Sequence, residues 1–95
     1  MAKVFSQELL FRLRNDIPLQ SVLQHVEWPL KRRDGRWCFL CPKCGETLTS
    51  INPRTNLGRC FACKINFNTI DMVMRACDCD FVQAIHFLET LLVDF

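Results

Sequence analysis

Two cysteine pairs constrain this chain more than any other feature: Cys41-Pro42-Lys43-Cys44 and Cys60-Phe61-Ala62-Cys63, separated by fifteen residues. Each pair spans the two intervening residues that let a tight turn aim both sulfurs at one point. Two such turns at this separation can offer four thiolates to one tetrahedral ion, and that donor set favours zinc. Gly45 directly follows the first pair, where a residue without a Cβ can take the positive φ that the bend requires. The expected ligands are Cys41, Cys44, Cys60 and Cys63 around one zinc ion.

A chain of 95 residues forms a core too small to be generously stable, and a metal commonly supplies what burial does not. Seven cysteines could mean a secreted disulfide scaffold. The count is odd, however, and the opening MAKVFSQELL holds no apolar stretch of signal-peptide length, so a reducing cytoplasm is expected. No apolar run approaches the ~18 residues that span a bilayer, and no membrane role is expected.

The net charge of +2 conceals a sorting along the sequence. Between residues 31 and 64 stand Lys31, Arg32, Arg33, Arg36, Lys43, Arg54, Arg59 and Lys64 against Asp34 and Glu46. After residue 64 the balance reverses, with Arg75 facing Asp71, Asp78, Asp80, Glu89 and Asp94. A four-thiolate zinc site carries about −2, which accounts for cations inside the knuckles such as Lys43 and Lys64. The cluster that precedes the site points instead to an anionic partner.

The periodicity predicts helices, then sheet, then helices. Ser6 can cap a first helix carrying Leu9, Leu10 and Leu13, and Asp16 a second with Pro18 in its first turn and Leu19, Val22, Leu23 and Val26 on one face. Extended chain follows from Trp28, with Asp34-Gly35 as a hairpin turn before Arg36-Trp37-Cys38-Phe39-Leu40. Residues 47–51 and 59–61 are further strand candidates, joined by a loop over residues 52–58. Asn68 or Thr69 can cap a helix with Ile70, Val73, Met74 and Cys77 on one face. Asp80 with Gln83 opens the last helix as a capping box, ahead of Phe81, Ala84, Ile85, Leu88 and Leu92. The expected fold is a small α+β zinc ribbon, its antiparallel sheet flanked by short helices at both ends. Residues 1–16 are expected as an accessory helix and 17–95 as the zinc-binding domain.

The order of a basic hairpin, Leu40-Cys41-Pro42, Ser50-Ile51-Asn52-Pro53, Arg59-Cys60-Phe61-Ala62-Cys63 and two helices, the second opened by Asp80-Phe81 and Ala84, resembles the zinc-binding domain of bacterial DnaG-type primases and their phage relatives. That family usually ligates zinc through Cys, His, Cys and Cys; here Cys44 takes the place of the histidine. Lys64-Ile65-Asn66-Phe67 stands where primases commonly carry a glycine-rich stretch. The resemblance implies recognition of a single-stranded DNA template in support of primer synthesis by a separate primase catalytic domain, or by a polymerase or helicase partner. The Toprim-type carboxylates of the catalytic domain have no counterpart here, so the chain is expected to be non-catalytic.

Charge for phosphate and flat rings for bases are what a single strand needs. The candidate contacts are Lys31, Arg33, Arg36, Trp37, Phe39, Arg54, Arg59 and Phe61. Alternation puts Arg36, Cys38 and Leu40 on one face of the hairpin and Trp37 and Phe39 on the other, and a strand aromatic in a domain this small can equally serve the core. Two competing readings are an adaptor that bridges nucleic acid and protein, and a redox module. Cys38, Cys41 and Cys44 with Cys60 could hold an iron–sulfur cluster, or the four paired cysteines a rubredoxin-like iron. Against the cluster, Cys38 is expected in a strand rather than a turn. Cys77 is expected in the core and Cys79 in a loop; His25 and His86 lack a paired ligand one turn away.

Overall fold

The computed structural model describes residues 5–93. Two helices, α1 (Gln7–Asn15) and α2 (Leu19–His25), lead into a hairpin of β1 (Leu30–Arg33) and β2 (Arg36–Phe39). A three-stranded antiparallel sheet follows, β3 (Thr49–Asn52), β4 (Leu57–Cys60) and β5 (Ile65–Phe67), with β4 in the middle. Helices α3 (Thr69–Ala76) and α4 (Phe81–Leu92) complete the chain. This is the small α+β arrangement of a zinc ribbon, with two antiparallel sheets and helices on both flanks.

Local chemistry explains most helix ends. Ser6 accepts a hydrogen bond from the Leu9 N–H and caps α1. Asn68 with Asp71, and Asp80 with Gln83, form complete capping boxes at α3 and α4, each satisfying two N–H groups that a helix start leaves open. Asp16, expected to cap α2, instead ends α1 and pairs with Arg12 at 3.3 Å. The cap of α2 comes from far along the chain: the buried amide of Asn56 accepts the Leu19 N–H at 2.8 Å and donates to the carbonyls of Arg14 and Ile17. Asn56 holds a left-handed φ of 56°, a conformation its short polar side chain tolerates.

The hairpin turns on Asp34 and Gly35, with φ of 52° and 77°, the two positive values of the tightest hairpin turn. Its register sets Arg32 opposite Trp37 and Arg33 opposite Arg36. Thr49 joins this hairpin to the larger sheet, accepting from the Phe39 N–H at 2.7 Å and donating to the Phe39 carbonyl. Strand β3 begins two residues later than expected and β4 is shifted back to residues 57–60. β5, a third strand in this sheet, was not expected: Ile65-Asn66-Phe67 alternates, but over three residues directly after the second cysteine turn, too short a run to signal a strand.

The buried side chains fall into two clusters. One gathers Leu13, Ile17, Val22, Ile70, Val73, Ala84, Ile85, Leu88 and Leu91 among the helices. The other gathers Leu19, Leu23, Phe39, Cys41, Ile51, Cys60, Phe67 and Met72 around the sheets. α2 and α3 serve both, because side chains one position apart on a helix point about 100° from each other: Val22 and Val73 face one cluster, Leu23 and Met72 the other. The helix expected as an accessory over residues 1–16 packs, in its described part, as core: Leu13 is fully buried and its carbonyl accepts from the Thr69 hydroxyl at 2.6 Å. Residues 1–4 lie outside the described residues.

Of the two cysteines in the α3–α4 connection, Cys79 lies in the loop as expected, but Cys77 is not in the core. Cys77 is the C-cap of α3 and exposed, whereas Cys79 is half-buried against the helical cluster. The helix period that placed Cys77 inside stops at the cap. Asp78 then takes a φ of 50° and turns the chain back, so that the Cys79 N–H reaches the Met74 carbonyl at 3.0 Å. Burial pushes the Cys79 thiol up, and the charges of Cys77, Asp80 and Asp78 add to that.

Candidate metal centre and basic cleft

The two cysteine turns share one backbone design. In the first, the Gly45 N–H donates to the Cys41 carbonyl at 2.9 Å, and in the second the Lys64 N–H donates to the Cys60 carbonyl at 2.8 Å. Both closing residues are left-handed, Gly45 at φ 76° and Lys64 at φ 60°. Each turn also aims an N–H at its leading sulfur, Lys43 to Cys41 and Cys63 to Cys60, both at 3.4 Å. The lysine that departs from a glycine-rich exit thus adopts the glycine-like conformation itself. Cys41 follows β2 after Leu40, and Cys60 ends β4, so each sheet delivers one turn.

The four sulfurs of Cys41, Cys44, Cys60 and Cys63 lie within 4.8 Å of one another. Cys41 and Cys63 are 3.9 Å apart, Cys44 and Cys60 3.6 Å. A zinc–sulfur bond of about 2.3 Å in a tetrahedron demands sulfur separations of about 3.8 Å, so the cage fits one zinc ion. Cys38 is buried but stands outside this set, so the sulfurs of an iron–sulfur motif are not assembled. His25 turns its ring to the Ser21 carbonyl and His86 pairs with Glu89; neither joins the cage.

Four thiols this close cannot ionise independently. The Cys44 thiol, followed by burial and the other cysteines, pushes Cys63 up to about 12. Burial also disfavours the Cys41 thiolate, yet the backbone N–H groups of Cys44 and Lys43 outweigh it and bring Cys41 down to about 7. The backbone thus favours ionisation at Cys41, and a bound dication would supply the charge that favours thiolates at the site as a whole. Bound zinc would cross-link the two turns and hence the two sheets.

A cleft of ≈ 860 Å³ opens between the hairpin and the three-stranded sheet. Arg32, Arg36 and Trp37 line it from the hairpin, Arg54, Arg59 and Phe61 from the other side, and no carboxylate is among its lining residues. Arg32 lies over the Trp37 ring at 5.3 Å and Arg59 over Phe61 at 5.8 Å, so each ring has one face backed by a guanidinium. Phe61 is 47% exposed, and its N–H bonds the carbonyl of Leu48, another exposed apolar residue.

Of the eight candidate contacts, Arg36, Trp37, Arg54, Arg59 and Phe61 meet in this cleft, while Lys31 and Arg33 do not line it. Phe39 is not a stacking platform: it is 1% exposed, packed edge-on to Phe67 and closed over by Gly58. Alternation assigned its face correctly but could not reveal that α2 and β4 cover it. Arg32, absent from the candidates, belongs to the cleft because the two-residue turn sets it opposite Trp37. Counting outward from Asp34-Gly35 would have found it.

The profile of the family described as CHC2 zinc finger, the DnaG zinc ribbon, matches residues 5–93, which takes in both helical flanks as well as the cysteine cage. The chain belongs to this family. Its cage departs from the Cys-His-Cys-Cys set of the name through Cys44. No match was found among curated proteins. No helix of the described residues is long and apolar enough to cross a membrane.

Proposed function

We propose that this domain binds single-stranded DNA template in the cleft and supports primer synthesis carried out by a separate catalytic domain or partner. The observation that carries the reading is the convergence in one carboxylate-free cleft of Arg32, Arg36, Arg54 and Arg59 with the rings of Trp37 and Phe61. Guanidinium groups neutralise phosphates, and the ring faces not backed by arginine accept bases at about 1 to 3 kcal/mol per stack. The zinc is structural in this reading. All its protein ligands are cysteines, which leaves no position for a substrate.

The test is titration of a labelled oligothymidine with the zinc-loaded protein across a salt series. Three to five phosphate contacts should give a log–log slope of about −2 to −3.5. Combining Arg36→Glu with Arg59→Glu should weaken binding at least tenfold and leave zinc content unchanged. Binding that is absent at low salt, or indifferent to those reversals, would sink the reading. The isolated chain should not synthesise primers; if it does, catalysis has been placed wrongly.

A further inference from the structure

The hairpin carries more positive charge than the cleft uses. Lys31 and Arg33 alternate with Arg32 along β1, and the register sets them opposite Cys38 and Arg36. They therefore belong to the hairpin face turned away from Arg32 and Trp37. Beside them lies a second pocket of ≈ 330 Å³, bounded by Leu30, Lys31, Cys38, Leu40 and Thr47. Lys31 and Thr47 are the lining residues that carry a polar side-chain nitrogen or oxygen, and the wall surface is almost wholly apolar. Strand β1 has one ladder neighbour among the described residues, β2, and Lys31, Arg32 and Arg33 are all exposed.

We propose that the free edge of β1 and this pocket form a docking site for an extended acidic peptide segment of a protein partner, with one apolar side chain seated in the pocket. A strand added to β1 would draw its register from main-chain hydrogen bonds. Its alternate side chains would share the pocket face, so an apolar residue flanked two positions away by acids meets the pocket and the Lys31 and Arg33 cations together. Charge chooses this occupant over others. A second copy would bring its own Lys-Arg-Arg edge and be repelled, the usual way cationic edges avoid self-pairing. A nucleic-acid strand offers phosphates but no amide ladder for the edge.

The experiment uses the zinc-loaded chain and a labelled ten-residue peptide with aspartates at alternate positions around a central leucine, read by fluorescence anisotropy at low salt. The peptide should bind, and a version with serine in place of the leucine should bind at least fivefold more weakly. Lys31→Glu combined with Arg33→Glu should weaken the peptide at least tenfold and oligothymidine by a clearly smaller factor, with zinc content intact. The proposal is overturned if the peptide does not bind, if the serine peptide binds equally, or if the two reversals weaken oligothymidine as much as peptide. In the last case this face is an extension of the nucleic-acid site.

Discussion

In the helical half of the molecule every buried side chain of the cluster is aliphatic, drawn from all four helices and the short connection at Ile17. In the sheet half, the cluster of eight includes Cys41 and Cys60, two of the metal ligands. The strands there are three or four residues long, shorter than the five or six typical of independent sheets. Fold stability is thus supplied by different means at the two ends of one chain: by apolar area where helices can bury a stripe, and by coordination where short strands cannot. Because α2 and α3 contribute to both clusters, the ends are coupled through side chains on opposite faces of the same helices.

The strongest way to break this comparison is to remove the metal. In zinc-finger peptides the metal contributes an apparent 10 to 16 kcal/mol or so near neutral pH. Chelation, or Cys60→Ser, should therefore abolish amide protection across β1 to β5, while protection in α4 survives longest. Hydrogen exchange checks this; simultaneous loss at both ends would show that the helical cluster cannot stand without the sheets. Acidification should act in the same direction. The bound state requires thiolates, and near neutrality at least Cys44, pushed up against the lowering hydrogen bonds at Glu46 and Cys63 by burial and then by the Cys41 and Cys60 thiols, and Cys63, at about 12, still carry protons. The metal's contribution is thus present at high pH and lost as pH falls, and a competition titration should show apparent affinity dropping about a hundredfold or more per unit between pH 8 and 7.

The converse is a large-to-small change in the helical cluster. Leu88→Ala removes a fully buried side chain and should cost about 2 to 5 kcal/mol, with zinc still stoichiometric by elemental analysis. A smaller effect tests how tightly the sheet half is packed: a Cβ at Gly58 would lie 2.7 Å from the Phe39 ring, so Gly58→Ala should cost about 1 to 3 kcal/mol in a denaturant melt. Smallest of all, Asp80→Ala removes one side of a capping box and should cost about 1 kcal/mol, without any change in oligonucleotide binding.

What could be read in advance follows a simple physical division. Features encoded within a few residues were legible: the cysteine turns, the Asp34-Gly35 reversal, and the caps at Ser6, Asn68 and Asp80 each depend on neighbours three or four positions away. Features made by distant partners were not. The cap of α2 rests on Asn56, whose partners lie 37 to 42 positions earlier. Phe39 became core through residues brought over it from α2 and β4. The core place expected of Cys77 failed for a third reason, because α3 ends there and the left-handed Asp78 turns the chain so that Cys79, not Cys77, meets the helical cluster. Most of the cleft was nonetheless foreseeable, since Arg36, Trp37, Arg59 and Phe61 flank the cysteine turns in sequence.

The cage joins a turn that follows β2 to a turn that follows β4, and the cleft lies between those same two sheets. A bound metal would therefore help to hold its gauge, the distance from Trp37 to Phe61, alongside the Thr49 bridge between the sheets. A ligand that bridges both walls then prefers the metallated protein, and linkage makes the preference mutual: whatever factor zinc adds to the ligand's affinity, the ligand adds to zinc's. Occupied by such a ligand, this domain would give up its metal to a chelator more reluctantly than it does alone.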